Sequence, residues 1–483
     1  MAHLSAPGAG LFGTATSSAT SYNMAQTGLS SVDGILTGVK WSTNTLTYSF
    51  PTSSPTYEYF GENASGFGAF SALQMTGMER VLAQYASVSN LKFTKITEAS
   101  ASHATLRFAE SSSPPTAFSY YPSSDPIGGD AWFNGVKGWY NSPAAGNYAF
   151  LTFLHEVGHA LGLKHGQESN VYGALPTSLD AMPYTVMTYR SYVGAPVTGN
   201  YTNESSSYAQ TLMSSDILAL QKMYGANFTT NATNTVYKWL PQSGETFVNG
   251  ISKGPVAGNK IFATVWDGGG HDTFDFGAYP TNLKINLSPG AWSTTSSEQL
   301  AHLSGNGLHN APGNIANAYL FNGDIRSLIE DAKGGSGDDV IVGNDASNAL
   351  FGGAGADTLS GAIGNDRLAG GAGYDRLSGG AGRDTFVFAA LADNCDTITD
   401  FVRGTDHIEI NRRGFALSDA AGSLAASHFD AGGVSTHSVA EFVYNAKLQT
   451  LMYDADGKGA AIAVAVAHFT AAIALSAADI WLV

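Results

Sequence analysis

The sequence predicts a multi-domain protein: an α+β domain first, then an all-β domain wound as a parallel β-roll. Three observations carry that prediction. Residues 155–165 read His-Glu-Val-Gly-His-Ala-Leu-Gly-Leu-Lys-His, a zinc-binding pattern that belongs on a helix. Residues 334–387 divide into six consecutive nonapeptides, a period that marks a coiled parallel sheet. The chain has 483 residues, enough for two or three domains with separate cores.

Composition narrows the possible functions. The formal net charge of −16 argues against nucleic-acid binding and against adhesion to anionic membranes. Charged residues are only 13% of the chain, so the acidity is no broad solvating shell. Part of it concentrates in the glycine-rich region, which points to cations. Cys395 is the only cysteine. That excludes an intrachain disulfide and any blocking thiolate ahead of residue 155. Residues 1–26 lack a basic segment followed by a long apolar core, so they read as a leader or short propeptide and not as a signal peptide. The stretch 460–483 is apolar but alanine-rich, and His468, Thr470, Ser476 and Asp479 interrupt it. Ile462, Val464 and Val466 alternate with alanines, a strand pattern more than a membrane span.

Within residues 27–228 the elements follow in order. Leu46–Phe50 reads as a strand that stops before Pro51. Leu73, Met78, Val81, Leu82 and Tyr85 give residues 70–88 a helical period. Residues 91–96 and 104–108 alternate as strands, and Ala131–Asn134 is a short strand. The helix with the His-Glu pattern begins near Ala149. Residues 213–224 form a last helix, with Ser214 or Ser215 as its N-cap before Asp216.

On a helix, residues four apart share a face, so His155 and His159 point two imidazoles at one Zn²⁺. Glu156, beside the first ligand, can hold a water there. Gly162 can take the left-handed conformation that ends the helix and turns the chain back, which lets His165 supply a third ligand. Three protein ligands leave a fourth position open, the arrangement of a catalytic zinc site.

The repeats follow Gly-Gly-x-Gly-x-Asp-x-apolar-x. Their glycines allow tight turns with carbonyls facing inward. The sixth positions offer carboxylates at Asp339, Asp357, Asp366, Asp375 and Asp384, with Asn348 in the second repeat. The eighth positions, Ile341, Leu350, Leu359, Leu368, Leu377 and Phe386, stack as a core. All-oxygen sites of this kind suit Ca²⁺. The second repeat, lacking its carboxylate, is expected to bind weakly or not at all. Residues 385–388 and 398–410 read as strands capping the roll. No Gly-x-Ser-x-Gly elbow occurs, which counts against a repeat-bearing serine hydrolase. A non-enzymatic repeat protein would not need the intact set His155, Glu156, His159 and His165.

In these features the chain resembles the serralysins, secreted metzincin zinc endopeptidases with a C-terminal RTX calcium β-roll. The resemblance runs from about Val32 onward. It rests on the zinc helix, on Thr185–Arg190, on Gly129–Asn134, on Met-Tyr-Gly-Ala-Asn at 223–227, on Trp-Asp-Gly-Gly-Gly at 266–270 and on the tandem repeats. It implies an α+β metzincin catalytic domain over 27–228, then a roll domain over 229–483 with a C-terminal cap. It further implies one catalytic Zn²⁺ on His155, His159 and His165, several structural Ca²⁺, and hydrolysis of internal peptide bonds. Glu156 would be the catalytic base, and Tyr189 would approach the zinc or stabilise the tetrahedral intermediate. Met187 would pack beneath the imidazoles. Ala131, Trp132, Phe133 and Asn134 would form the edge strand along which an extended peptide lies.

For calcium, the resemblance implies Asp267, Gly269, Asp272 and Glu330 ahead of the repeats. Within them it adds the carbonyls of Gly335, Gly337, Gly353, Gly355, Gly371, Gly373, Gly380 and Gly382 to the repeat aspartates, and after them Asp400 and Asp406. The roll would stay unfolded at cytosolic calcium and fold outside, where sites of this type work at about 10⁻⁴–10⁻³ M. The tail Asp479–Val483 resembles the acidic-then-apolar signal read by Type I (ABC) exporters, which implies an extracellular protein. The implied partners are protein or peptide substrates, that exporter and, in addition, a proteinaceous inhibitor. Neither nucleic acid nor stable membrane insertion is expected, and the chain is expected to be a monomer. Two positions depart from the family pattern. Gly166 stands where proline is expected, and Asn231–Thr235 is a weaker match to the first calcium loop.

Overall fold

A computed structural model describes residues 19–57, 59, 61–99, 103–393 and 395–483. The expected leader lies outside them as far as residue 18. Its last part includes Ser21–Asn23 (β1), which pairs antiparallel with Val39–Trp41 (β2). The chain forms two compact units. The first holds residues up to Thr230, Gly254–Gly268 and Glu298–Asp324; the second holds Asn231–Lys253, Gly269–Ser297 and Ile325–Val483. Two segments read in the sequence as part of the second domain therefore pack with the first unit. Gln210 draws one of them in: its Oε1 accepts from Phe262 N–H and its Nε2 donates to Lys260 O. Ala263–Val265 then pairs in parallel with Ile315–Asn317.

In the first unit a five-stranded sheet carries Thr45–Ser49 (β3), Lys92–Lys95 (β4), Leu106–Ser111 (β5), Ala117–Ser119 (β6) and Asp130–Asn134 (β7). The order is β4-β3-β5-β7-β6, all parallel except β6. Besides the short Ser30–Asp33 (α1), the unit has three longer helices: Ala72–Val88 (α2), Tyr148–Leu161 (α3) and Ser214–Tyr224 (α4). Ser71 and Gln74 start α2 reciprocally, each side chain taking the other's backbone N–H. Met78, Val81, Leu82 and Tyr85 are buried as their spacing requires, whereas Leu73, counted in the same stripe, is exposed. The N-cap of α4 is Met213, not Ser214 or Ser215. Asp216 reaches back from the first turn and accepts the Met213 N–H at 3.0 Å.

The topology corrects one expectation directly. Strand β7 is not the edge of the sheet, because β5 and β6 flank it. Ala131, Trp132 and Phe133 are fully buried, and Asn134 nearly so. Their side chains fill the core, and the Asn134 amide is spent on Pro114 O and on the Val136 N–H. The neighbour at the edge is β6. Across the β5–β7 pair, Arg107 grips Asp130 through two hydrogen bonds of 2.7 and 2.8 Å with both side chains buried.

The second unit is the parallel roll. One row of parallel strands runs Thr273–Asp275, Asp331–Lys333, Ala349–Ala354, Arg367–Ala372, Thr385–Phe388, His407–Ile410 and Ile480–Leu482. The other runs Lys284–Asn286, Val340–Val342, Thr358–Ile363, Arg376–Ala381, Asp396–Ile398 and Val464–Phe469. Leu350 pairs with Leu368 and Ile341 with Leu359, so two nonapeptides make one coil. All six eighth-position side chains are fully buried. Glycine is favoured where coils touch, although Ala362 takes the same repeat position at φ +81°. At Gly371, with φ +101°, a Cβ would fall 2.1 Å from Gly353 O. The apolar stretch after 460 yields strands, and no helix among the described residues is long and apolar enough to cross a membrane.

Candidate metal centres

Helix α3 is a core element. Asn147 caps its start by accepting the Phe150 N–H, and from Ala149 to Leu161 every residue is buried. Gly162 ends it at φ +106°, where a Cβ would meet Val39 O at 2.2 Å. The chain then turns back, and His165 joins His155 and His159. The three Nε2 atoms stand 3.0, 3.0 and 3.2 Å apart, all three rings buried.

Each Nδ1 faces an acceptor: Val186 O for His155, Leu163 O for His159 and Glu168 Oε1 for His165, at 2.7, 2.8 and 2.7 Å. Those contacts assign the proton to Nδ1 and turn the Nε2 lone pairs inward. Burial also lowers the His155 pKa, to about 4, which keeps that ring neutral. Three lone pairs aimed at one point repel one another until a cation sits there. Two nitrogens on tetrahedral Zn²⁺ at about 2.0–2.1 Å are about 3.3 Å apart, so the donor set fits zinc.

The turn after the third histidine supports the first. Asp216 accepts from Thr185 Oγ1 and from the Val186 N–H, and Val186 O in turn takes the His155 Nδ1–H. Met187 lies under α3 at Gly158, where a Cβ would come within 2.5 Å of its Sδ. Gly166 donates its N–H to Met187 O at 2.9 Å, a bond that the expected proline could not make.

Glu156 shares a cavity with Leu151, Thr152, His155, Tyr189 and Tyr201. It is 1% exposed, and its Oε2 is buried without a hydrogen bond. Burial pushes its pKa up to about 8, with the Ser119 hydroxyl opposing. The Tyr189 ring lies 4.3 Å from that of His165 between centroids, and burial holds its hydroxyl protonated well above the ordinary range.

In the roll, the repeat aspartates form two ladders. Asp357 Oδ1 accepts the Asp339 N–H, Asp375 the Asp357 N–H, and Asp396 the Asp375 N–H. Opposite, Asp366 takes the Asn348 N–H, Asp384 the Asp366 N–H, and Asp406 the Asp384 N–H. The Oδ2 atoms of Asp357, Asp366 and Asp384 are buried without a hydrogen bond. Burial raises Asp357 to about 7 and Asp366 to about 6, while burial with Asp375 alongside pushes Asp396 well up. Such oxygens fit a hard cation.

Other expected ligands differ. Both oxygens of Asp339 are already engaged, by Leu283 and Gly335 N–H. Those of Asp400 take Ser378 Oγ and the N–H groups of Gly379 and Gly380, and Asp406 Oδ2 takes Val402 N–H. Asp396, which lies beyond the six nonapeptides, carries the ladder on. Ahead of the repeats, Glu330 accepts the Asp272 N–H, and burial, with Asp272 adding to it, raises its pKa to about 7. Asp267 is fully buried in the first unit.

Comparison with known proteins adds independent observations. A family model described as Matrixin matches residues 40–174, and one described as Peptidase M10 serralysin C terminal matches residues 226–419. The metalloprotease AprA of Pseudomonas entomophila is 36% identical over 388 residues, covering 77% of this chain and 73% of that protein. Serralysin G of Dickeya chrysanthemi is 36% identical over 387 residues, covering 76% and 72%. The serralysin of Proteus mirabilis is 37% identical over 393 residues, covering 76% and 74%.

Proposed function

The chain belongs to the serralysin family and is a zinc-dependent endopeptidase; from that premise we propose which residues carry the reaction and what the roll contributes. His155, His159 and His165 hold the zinc. The observation that carries this is the convergence of three Nε2 lone pairs, each fixed from behind through Nδ1. Zinc in such a site polarises carbonyls and makes water acidic near neutral pH. Glu156 Oε2, buried in the same cavity as His155 and without a hydrogen bond, takes the proton of the attacking water and returns it to the leaving amine. The Tyr189 hydroxyl, kept protonated by burial, donates to the carbonyl oxygen as charge develops there.

An extended peptide substrate adds to the sheet at β6, Ala117–Ser119, by main-chain pairing. Support comes from the edge position of β6 and from Ser119, which brings that edge close to Glu156. Calcium occupies the aspartate ladders, the support being their buried, raised carboxylates. The protein acts outside the cell, and the acidic-then-apolar residues Asp479–Val483 support Type I export. Domain boundaries near residue 230 follow the same reading.

The test of the site is Glu156→Ala on casein in millimolar calcium. The variant should retain one zinc and lose nearly all turnover, about 10²–10⁴-fold at least. Activity within tenfold of wild type would remove Glu156 from this role.

A further inference from the structure

We propose that Glu168 is a positioning residue for His165 and that the buried Lys164 holds it in place, an inference that rests on reading the three histidines as zinc ligands. The three imidazoles are secured differently. His155 and His159 grow from α3 and lean on backbone carbonyls. His165 lies beyond Gly162, off the helix, and no regular element fixes its ring. Its Nδ1 instead meets a carboxylate oxygen at 2.7 Å. A carboxylate behind a ligand imidazole fixes the tautomer, orients the ring and makes the opposite nitrogen more basic.

A surface carboxylate could do this only intermittently, since exposed pairs are worth little. Lys164 changes that. It is 1% exposed, and its ammonium donates to Gly34 O, Glu168 O and Gly173 O at 2.6, 2.6 and 2.9 Å. Three donors meet three carbonyls, so the buried charge is solvated by backbone. Two of those carbonyls belong to the loop after His165, and one to residues far ahead of α3. The Glu168 N–H closes the same loop onto His165 O. The backbone of Glu168 is thus pinned at both its N–H and its carbonyl, and the side chain is delivered to Nδ1.

The test measures zinc affinity of the full chain in millimolar calcium, by competition with a chromogenic chelator, beside kcat at saturating zinc. Glu168→Ala should weaken zinc binding about 10–100-fold, with kcat at saturating zinc changed much less. Glu168→Gln, whose amide oxygen still accepts from Nδ1, should fall between Ala and wild type. Lys164→Met should share the loss, and combining it with Glu168→Ala should add little. Should Glu168→Ala fail to fold, Glu168→Gln decides alone. Zinc affinities of both Glu168 variants within twofold of a zinc-binding wild type would overturn the proposal and leave the triad reading intact. A folded wild type that takes up no zinc would overturn both.

Discussion

The histidine cluster and the aspartate ladders of the roll hold their polar atoms in opposite ways. In the first unit each of the three clustered imidazoles is tied from behind, by Val186, Leu163 or Glu168, and two of them stand on a helix that is itself buried core. Hydrogen bonds of the fold itself aim these donors. In the roll, each ladder aspartate has one oxygen tied to the preceding coil, while at Asp357, Asp366 and Asp384 the other is buried without a hydrogen bond. There the proposed calcium, once bound, would complete the fold. The second repeat marks the boundary between the two strategies. Asn348 donates to Glu330 O and Asn344 Oδ1, so an amide supplies donors at the position where the other repeats offer a carboxylate.

This contrast can be broken at several points. The largest single-residue effect on folding is expected at Arg107→Ala, which strands the buried Asp130 carboxylate and should destabilise the first unit by about 3–5 kcal/mol. Thermal melts should give the same loss with and without calcium. A loss that vanishes when calcium is chelated would tie this unit's stability to the roll's ions.

A pH series sharpens the contrast in the roll. Aspartates titrate near 3.9 when unfolded, but burial raises Asp357 to about 7 and Asp366 to about 6 in the folded, ion-free state. The folded state then binds more protons between about pH 4 and 7, and its stability falls as pH rises through that window. In chelator, acidifying from pH 7.5 to 5 should increase β structure in circular dichroism. With calcium the trend should reverse, because the ligands must be deprotonated. Less β structure at pH 5 in chelator would contradict the burial argument.

The smallest effect is expected at Asn348→Asp. It removes two donated hydrogen bonds worth about 0.5–1.5 kcal/mol each, so in chelator at pH 5, where protonation favours the folded roll, melting should come earlier, while calorimetry at neutral pH should count one more bound calcium. Unchanged stoichiometry with unchanged melting would mean that position 348 is no latent site.

Much of this was legible in the sequence because the signals are local. The four-residue histidine spacing, the helix-ending Gly162 and the nine-residue period each reflect a backbone geometry repeated within a few residues. What was illegible depends on partners distant in the chain. The central place of β7 follows from β6, a three-residue strand with too little length for a periodic signal. Asp396 sits 21 residues after Asp375, where the repeats are spaced by 18, so the period no longer points to it. The N-cap of α4 escaped because Asp216 caps from inside the helix. Glu168 escaped because its role depends on a loop that Lys164 closes against Gly34, 130 residues away.

The central claim is that the catalytic fold stands without its ion and the roll does not. Hydrogen exchange on the full chain, stripped of zinc and calcium at pH 7.5, tests it most directly. Amides of α3 and of residues 185–187 should stay protected, while those of residues 334–387 exchange freely and regain protection when calcium alone is restored. Full protection of the repeats without calcium, or loss of α3 on zinc removal, would contradict it.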